Sequence, residues 1–459
     1  MDISIILAAG EGTRMKSKIP KVLHKVCGKP LLEYIIDASQ GAGIEKNVVI
    51  VGHGKDQVRE YFQDRPIIFK DQPLGKDVPY GTGFAVMQGE EYIDDDGIVV
   101  ILYGDTPLIA KETIDRLLKF HREGGFDGTV LTALLDDPTG YGRIKRDGSG
   151  NISKIVEQKD ANEEEQKIKE INSGIYCFNG RLLKLALGKI DNDNAQRELY
   201  VTDVVGILRD EGYKIGAYVI EDSLEIHGVN SRLQLAFSEK VMRDRINENH
   251  MANGVTLIDP DSTYIEEGVV IGSDTIIYPG VNIQGNTKIG EDCIIRSNTR
   301  IIDSEIGDQV QIESSLIETS VVGSKATIGP NSHLRPKSHI GENVHIGNFV
   351  EVKNASIGEN SKAGHLAYIG DAIVGKNVNI GCGVIFANYN GKDKQITTVG
   401  DGAFIGSNSN LVAPVVIKDR AYIAAGSTIT QDVESGDLSI ARAKQVNKKG
   451  WVDKKGLGR

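Results

Sequence analysis

Cysteine is scarce in this chain: the four that occur, Cys27, Cys177, Cys293 and Cys382, lie far apart and make no C-x-x-C pair. That spacing excludes a disulfide frame and a zinc knuckle and reads as reduced thiols in a cytoplasmic protein. Surplus positive charge is also missing, since the net charge is −11. Bulk electrostatics therefore favour neither nucleic acid nor an anionic membrane, and an anionic ligand must be held by local basic clusters. No apolar run is long enough to span a bilayer, and Met1-Asp2 leads straight into an apolar segment with no basic, leader-like stretch. Aromatic residues are few, at 6%, whereas glycines number 53. The second half of the chain accounts for both.

The 459 residues leave room for two or three domains. Near the start, the apolar run Ile5-Ile6-Leu7 reads as a buried strand of a parallel sheet. Ala8-Ala9-Gly10-Glu11-Gly12-Thr13-Arg14 follows, and the stretch closes with Ile19-Pro20-Lys21. Small residues let backbone approach a ligand, and successive N–H groups in such a turn can hold phosphate oxygens. Arg14 and Lys21 add fixed positive charge. No Lys-Ser/Thr follows the second glycine and the third glycine of G-x-G-x-x-G is absent, so neither common phosphate-loop pattern applies.

Downstream, apolar strands at Val48–Val51, Ile67–Phe69 and Ile98–Tyr103 alternate with helical patterns such as Leu31, Leu32, Ile35, Ile36 and Ile114, Leu117, Leu118. Alternation of this kind predicts a doubly wound, Rossmann-like α/β domain with ligands beyond the carboxyl ends of its strands. The glycine-rich loop and Tyr103-Gly104-Asp105 both sit at such ends. Asp105 is the strongest acid candidate, a carboxylate placed to help hold a magnesium ion beside bound phosphates; it also reads as an Asp opening the turn at Thr106-Pro107. Glu157 and Asn172, at further strand ends, could bond sugar hydroxyls and an N-acetyl amide, or serve turn chemistry.

These segments resemble the sugar-nucleotide pyrophosphorylases. With Gly140-Tyr141-Gly142-Arg143, Val156-Glu157, Ile171-Asn172 and Gly228-Val229-Asn230, the half-chain is similar to the uridyltransferase half of bacterial bifunctional uridyltransferase/N-acetyltransferases. The resemblance implies that Asp105 and Asn230 bind Mg²⁺ and that Leu7, Ala8, Ala9, Gly10, Lys21, Gln72, Gly81 and Thr82 line UTP. It further implies that Tyr103 and Gly104 belong to the substrate site and that Gly142, Glu157, Asn172 and Asn230 hold N-acetylglucosamine 1-phosphate. Between Gln72 and Phe84 the sequence departs from the family: the segment is longer, Tyr80 stands where Leu is usual and Phe84 where His is usual.

Domain boundaries are expected at residues 1–230, a linker helix over 231–253 and a third region over 254–459. Ser231 and Gln234 have capping-box spacing at the helix start. Aliphatic residues then recur every six positions: Ile271, Ile277, Ile283, Ile289, Ile295, Ile301; again from Val322 to Val352; again from Val399 to Ile429. This predicts a parallel β-helix, three hexads to a coil, with a narrow core that has little use for aromatics. Steps of five, such as Ile301 to Ile306, mark slips, and Asn388 to Thr398 breaks the period and should protrude.

The repeat by itself also fits a passive oligomerisation stalk. Its polar cluster resembles the left-handed β-helix acyltransferases, whose domains in this family form trimers. The resemblance implies His365 as general base, a role suited to imidazole, with Arg335, Lys353, Tyr368 and Asn379 on the phosphate of glucosamine 1-phosphate. It assigns acetyl-CoA to Cys382, Asn388, Tyr389, Ser407, Ala425 and Arg442. Phe386 is bulkier than the family pattern has beside the loop. The expected activity is acetylation of glucosamine 1-phosphate, then transfer of UMP from UTP. The products are pyrophosphate and UDP-N-acetylglucosamine for cell-wall and lipid precursors. The protein is expected to be a cytoplasmic homotrimer. The basic tail from Val446 could reach a neighbouring chain or stay disordered.

Overall fold

A computed structural model describes residues 1–75, 78–194 and 196–457. Lys76 and Asp77 of the lengthened segment, and the last two residues of the basic tail, lie outside them. The chain divides into two compact units, Met1–Met242 and Arg243 onward. The division falls inside one helix, Arg232–Ala252. Among the described residues no helix is long and apolar enough to cross a membrane.

The first unit is built on a nine-stranded sheet. Its strands are β1 (Ile3–Ala8), β2 (Lys46–Val51), β3 (Ile68–Asp71), β4 (Ile98–Tyr103), β5 (Gly128–Leu134), β6 (Arg143–Arg146), β7 (Ile152–Val156), β8 (Glu170–Asn179) and β9 (Ile215–Val219). The order is β9-β5-β8-β4-β1-β2-β3, with the β6–β7 ribbon attached to β8. β3, β2, β1 and β4 run parallel, whereas β8 lies antiparallel between β4 and β5. Every residue of β1 is buried, as a strand covered on both faces requires. Alternate side chains feed two cores: Ile6 and Ala8 pack with Leu32, Ile35, Leu117 and Leu118, while Ile3, Ile5 and Leu7 pack with Leu183, Val204 and Val205. Helices therefore cover both faces, the doubly wound arrangement expected, with one central antiparallel strand, β8, that alternation alone does not reveal.

The second unit is a parallel β-helix. Ile276 pairs with Ile294, and Phe404 with Tyr422, each eighteen residues on, so three hexads close one coil. The five-residue steps shorten coils: Ile294 pairs with Gln311. The long step, Asn379 to Phe404, contains the expected insertion. Ile277, Ile283, Ile295 and Ile301 are fully buried in the core. Glycine after the aliphatic residue answers to stacking rather than turn freedom: a Cβ on Gly358 would lie 2.6 Å from the Gly375 carbonyl carbon of the next coil.

Candidate functional sites

In the first unit a cavity of about 660 Å³ opens at the carboxyl ends of β1 and β4. Leu7, Ala8, Ala9, Gly10, Arg14, Lys21, Gln72, Gly81, Thr82, Tyr103, Asp105 and Asn230 all line it. Gly104 stands just behind, its N–H donating to the Leu7 carbonyl at 2.9 Å and so joining the ends of β1 and β4. Lys21 Nζ lies 2.5 Å from Asp105 Oδ2 and 3.1 Å from Asn230 Oδ1. Asn230 reaches this point because the Val229 N–H donates to the Asp105 carbonyl at 2.8 Å. Gln234 Oε1 also accepts the Asn230 N–H at 2.9 Å, while the Gln234 N–H donates to the Ser231 hydroxyl at 3.3 Å. The box at the helix start thus reaches one residue further back than the usual form and fixes Asn230.

Gly142, Glu157 and Asn172 do not line the cavity; they cluster beside it. The Asn172 N–H donates to the Gly142 carbonyl at 2.9 Å, and a Cβ on Gly142 would stand 3.5 Å from Glu157 Oε1. Their neighbours Gly140, Tyr141 and Ser173 are on the cavity wall. Gln158 Oε1 clamps this turn, accepting from Arg143 Nη2 at 2.8 Å and from the Gly140 N–H at 3.1 Å. Burial pushes the Glu157 carboxyl above its ordinary range, opposed by a hydrogen bond from the Thr202 hydroxyl. Burial first, then the Glu157 and Asp105 charges, raise the Tyr103 phenol, which hydrogen-bonds Thr82. The Val201 N–H in turn donates to Thr82 Oγ1 at 3.1 Å. The Tyr103 phenol, the Thr82 hydroxyl and the Glu157 carboxyl are therefore gathered on the Asp105 side of the cavity.

In the β-helix, His365, Cys382, Ser407 and Ala425 each directly precede a corner residue in the left-handed region: Leu366, Gly383, Asn408 and Gly426. These corners stack along the axis, since the Gly383 N–H donates to Leu366 O at 2.7 Å and the Gly426 N–H to Ser407 O at 2.8 Å. The proposed base and three acetyl-CoA positions thus form one row. Arg442 extends it, 3.7 Å from a Cβ built on Gly426. On another face, Arg335 Nη1 pairs with Glu351 Oε1 at 2.9 Å, and Glu351 is in register with Tyr368. Lys353 lies beside them, its ammonium held below its ordinary pKa chiefly by contact with Lys394 and further by Arg335. Asn388 Nδ2 is 3.3 Å from the Tyr368 hydroxyl, while Tyr389 is exposed, its hydroxyl donating to Gly391 O and its backbone bridging to Lys394. Asn379 does not join this group within one chain: it pairs with Lys362 on the sheet that carries His365.

A nucleotidyl transferase family model matches residues 3–226, and bacterial transferase hexapeptide repeats match 268–303 and 396–431. A GMPPB C-terminal domain model matches residues 316–396. "Bifunctional protein GlmU" of Clostridioides difficile is 58% identical over 453 residues, 98% of this chain and 97% of that protein. The namesakes from Alkaliphilus oremlandii and Caldanaerobacter subterraneus are each 56% identical and cover 99% of this chain and 98% of their own length. The chain belongs to the GlmU family.

Two segments depart from the pattern expected of GlmU proteins. Gln72 is buried, its N–H bonded to Val51 O at 2.8 Å, and Tyr80, Gly81 and Thr82 line the same cavity. The extra residues therefore leave both ends of the segment at the cavity wall. Phe386 does not stand beside the row of His365, Cys382, Ser407 and Ala425: it is fully buried, in register with Leu411, so its bulk fills the solenoid core. Sequence reasoning missed Lys394, third cation of the Arg335–Lys353 group, although its place in the period-breaking loop was a signal. It also missed Thr202, on which no local pattern falls, and Glu198, which lines the cavity.

Proposed function

We propose that this GlmU-family chain acetylates glucosamine 1-phosphate with acetyl-CoA in its β-helix and transfers UMP from UTP to the resulting N-acetylglucosamine 1-phosphate in its first unit. Pyrophosphate and UDP-N-acetylglucosamine are the products. The observation that carries the reading is the meeting of Asp105, Asn230 and Lys21 in a cavity at the carboxyl ends of β1 and β4.

Asp105 Oδ2 and Asn230 Oδ1 both face the Lys21 ammonium, so two oxygen donors already converge on a cationic group. That donor set suits Mg²⁺, which takes few protein ligands and completes its shell with water and phosphate. Bound there, Mg²⁺ would neutralise charge developing on the triphosphate. Lys21, Arg14 and the loop amides at Ala8–Gly10 hold the phosphates. The sugar phosphate oxygen attacks the α-phosphorus, and the pyrophosphate oxygen leaves. Gly142, Glu157 and Asn172 hold the sugar and fix its phosphate for that attack.

In the β-helix, Arg335, Lys353 and Tyr368 take the sugar phosphate dianion, with Asn379 on the neighbouring sheet. Three clustered cations, Lys394 included, suit such a charge. His365 removes a proton as the sugar amine attacks the thioester carbonyl. Cys382, Ser407, Ala425 and Arg442 form the row that receives acetyl-CoA, with Asn388 and Tyr389 at its side. Asn379 and the Arg335 group lie on different sheets of one solenoid, which supports a homotrimer whose neighbouring copies bring the two together. We place the enzyme in the cytoplasm, where UTP and acetyl-CoA are available and where its four cysteines stay reduced.

The test is an assay of the purified chain with both sugar phosphates, acetyl-CoA, UTP and Mg²⁺, following free thiol and pyrophosphate separately. His365→Ala should lower thiol release by roughly 10²–10⁴-fold and spare pyrophosphate release. Chelation of Mg²⁺ should do the reverse. Pyrophosphate release without thiol release from the wild type would reduce the β-helix to a scaffold.

A further inference from the structure

We propose that Asp371 is a positioning residue for acyl transfer, fixing which end of the Asn388 amide meets acetyl-CoA. The inference rests on the reading of Asn388 as an acetyl-CoA contact. Asp371 is only 6% exposed and sits at a left-handed corner of the β-helix. Its Oδ1 accepts from Asn354 Nδ2 and its Oδ2 from Asn388 Nδ2, each at 2.5 Å. A carboxylate has no N–H to give, so it accepts only the NH₂ end of each amide. Asn388 Nδ2 also faces the Tyr368 hydroxyl at 3.3 Å, so both of its N–H bonds point inward. Oδ1 is then the end left for a ligand.

The crossing is tight. A Cβ on Gly370 would meet the Tyr368 hydroxyl at 2.4 Å and Asn388 Nδ2 at 2.8 Å, so glycine at that position is what lets the two side chains meet. Gly370 is also in register with Lys353 of the phosphate group, which ties the Asp371 arrangement to the acyl-transfer site. On the side of the ligand, the thioester carries no donor, whereas the pantetheine arm beside it carries two amide N–H groups. Asn388 Oδ1 therefore accepts a pantetheine N–H. Were the amide reversed, two donors would face each other and the arm would lose its bond.

Asp371→Ala tests this. It removes both carboxylate acceptors, so nothing fixes the Asn388 amide and its NH₂ can turn to face the ligand. The expected result is a roughly tenfold higher KM for acetyl-CoA, the scale of one lost hydrogen bond, with kcat and the KM for glucosamine 1-phosphate nearly unchanged. Asp371→Asn is the control: Asn354 is exposed and can turn, so the new amide donates to it and keeps its carbonyl toward Asn388. This variant should hold the KM for acetyl-CoA to within about twofold of wild type. An unchanged KM in Asp371→Ala overturns the proposal. So does an Asp371→Asn variant that melts like wild type yet is as defective as Asp371→Ala, or a defect confined to glucosamine 1-phosphate. A wild-type protein that releases no thiol from acetyl-CoA would instead sink the acetyltransferase reading itself.

Discussion

The Lys21 ammonium stands between two side-chain oxygens, 2.5 Å from Asp105 Oδ2 and 3.1 Å from Asn230 Oδ1. A cation already occupies the point where two oxygen donors meet, and the phosphates of UTP would have to approach that point. Lys21→Ala should therefore leave Asp105 without its ion-pair partner and remove a preorganised charge from the transferring phosphate. We expect kcat for pyrophosphate release to fall by roughly 10²–10³-fold, the range of a lost electrostatic stabiliser, with thiol release unchanged. A rise in KM for UTP at constant kcat would mean that Lys21 only binds the ground state.

Glu157 is caught between burial, which raises its pKa, and the Thr202 hydroxyl, which lowers it. Removing the hydroxyl with Thr202→Val lets the carboxyl rise further, so the acidic fraction persists to higher pH. With the sugar held by the ionised carboxylate, the acid limb of kcat/KM for N-acetylglucosamine 1-phosphate should move to higher pH. The pH profile of pyrophosphate release in wild type and variant decides this. Identical acid limbs would remove Glu157 from the sugar site.

How much of this was legible before the structure follows from the kind of signal each feature leaves. The solenoid was readable to the coil because its core accepts one aliphatic residue per hexad, and the shortened coils appear as five-residue steps. The row His365, Cys382, Ser407, Ala425 was present in the spacing too, but only the left-handed corners show that the four share one edge. Asp105, Lys21 and the small-residue loop stood out because strand ends in a wound sheet are where ligands go. Thr202 left no such mark, and Lys394 left only its place in the period-breaking loop: each acts on a partner far away in sequence, Thr202 on Glu157 and Lys394 on Lys353. The antiparallel β8 was hidden for a similar reason, since a strand buried on both faces reads the same in either direction.

His121 gives a stability test in the first unit. Its imidazole is 4% exposed, bonds Thr129 Oγ1 at 2.9 Å, and titrates at about 4 rather than 6.5. Burial is the main cause, aided by Arg122 and opposed by Asp127 and Asp2. Between those two pH values the unfolded chain binds a proton that the folded one refuses, so stability falls as pH drops through the window. The loss attributable to this group is about 3 kcal/mol at most. His121→Gln, which keeps a partner for Thr129, should flatten the difference between pH 7 and pH 4.5. Urea unfolding followed by the helical circular dichroism signal, carried mainly by this unit, would show it, and parallel pH dependences would refute it.

The glycine stack makes the opposite kind of demand, on space rather than charge. Coils of the β-helix approach so closely at Gly358 that a methyl group would lie 2.6 Å from one Gly375 backbone atom and 2.7 Å from another. Backbone cannot swing aside as a side chain can, so Gly358→Ala must push neighbouring coils apart or break their ladder, at a cost of about 1–3 kcal/mol. Gly364→Ala is the control: a Cβ there meets nothing within 4 Å. Because coils of a solenoid lean only on their neighbours, the damage should concentrate between Ile340 and Val399, the coils that carry His365 and Tyr368. After mild heating, Gly358→Ala should lose thiol release before pyrophosphate release, whereas Gly364→Ala should keep the wild-type melting temperature. Equal melting of the two variants would mean that the coils can spread at no cost and that the glycines are there for another reason.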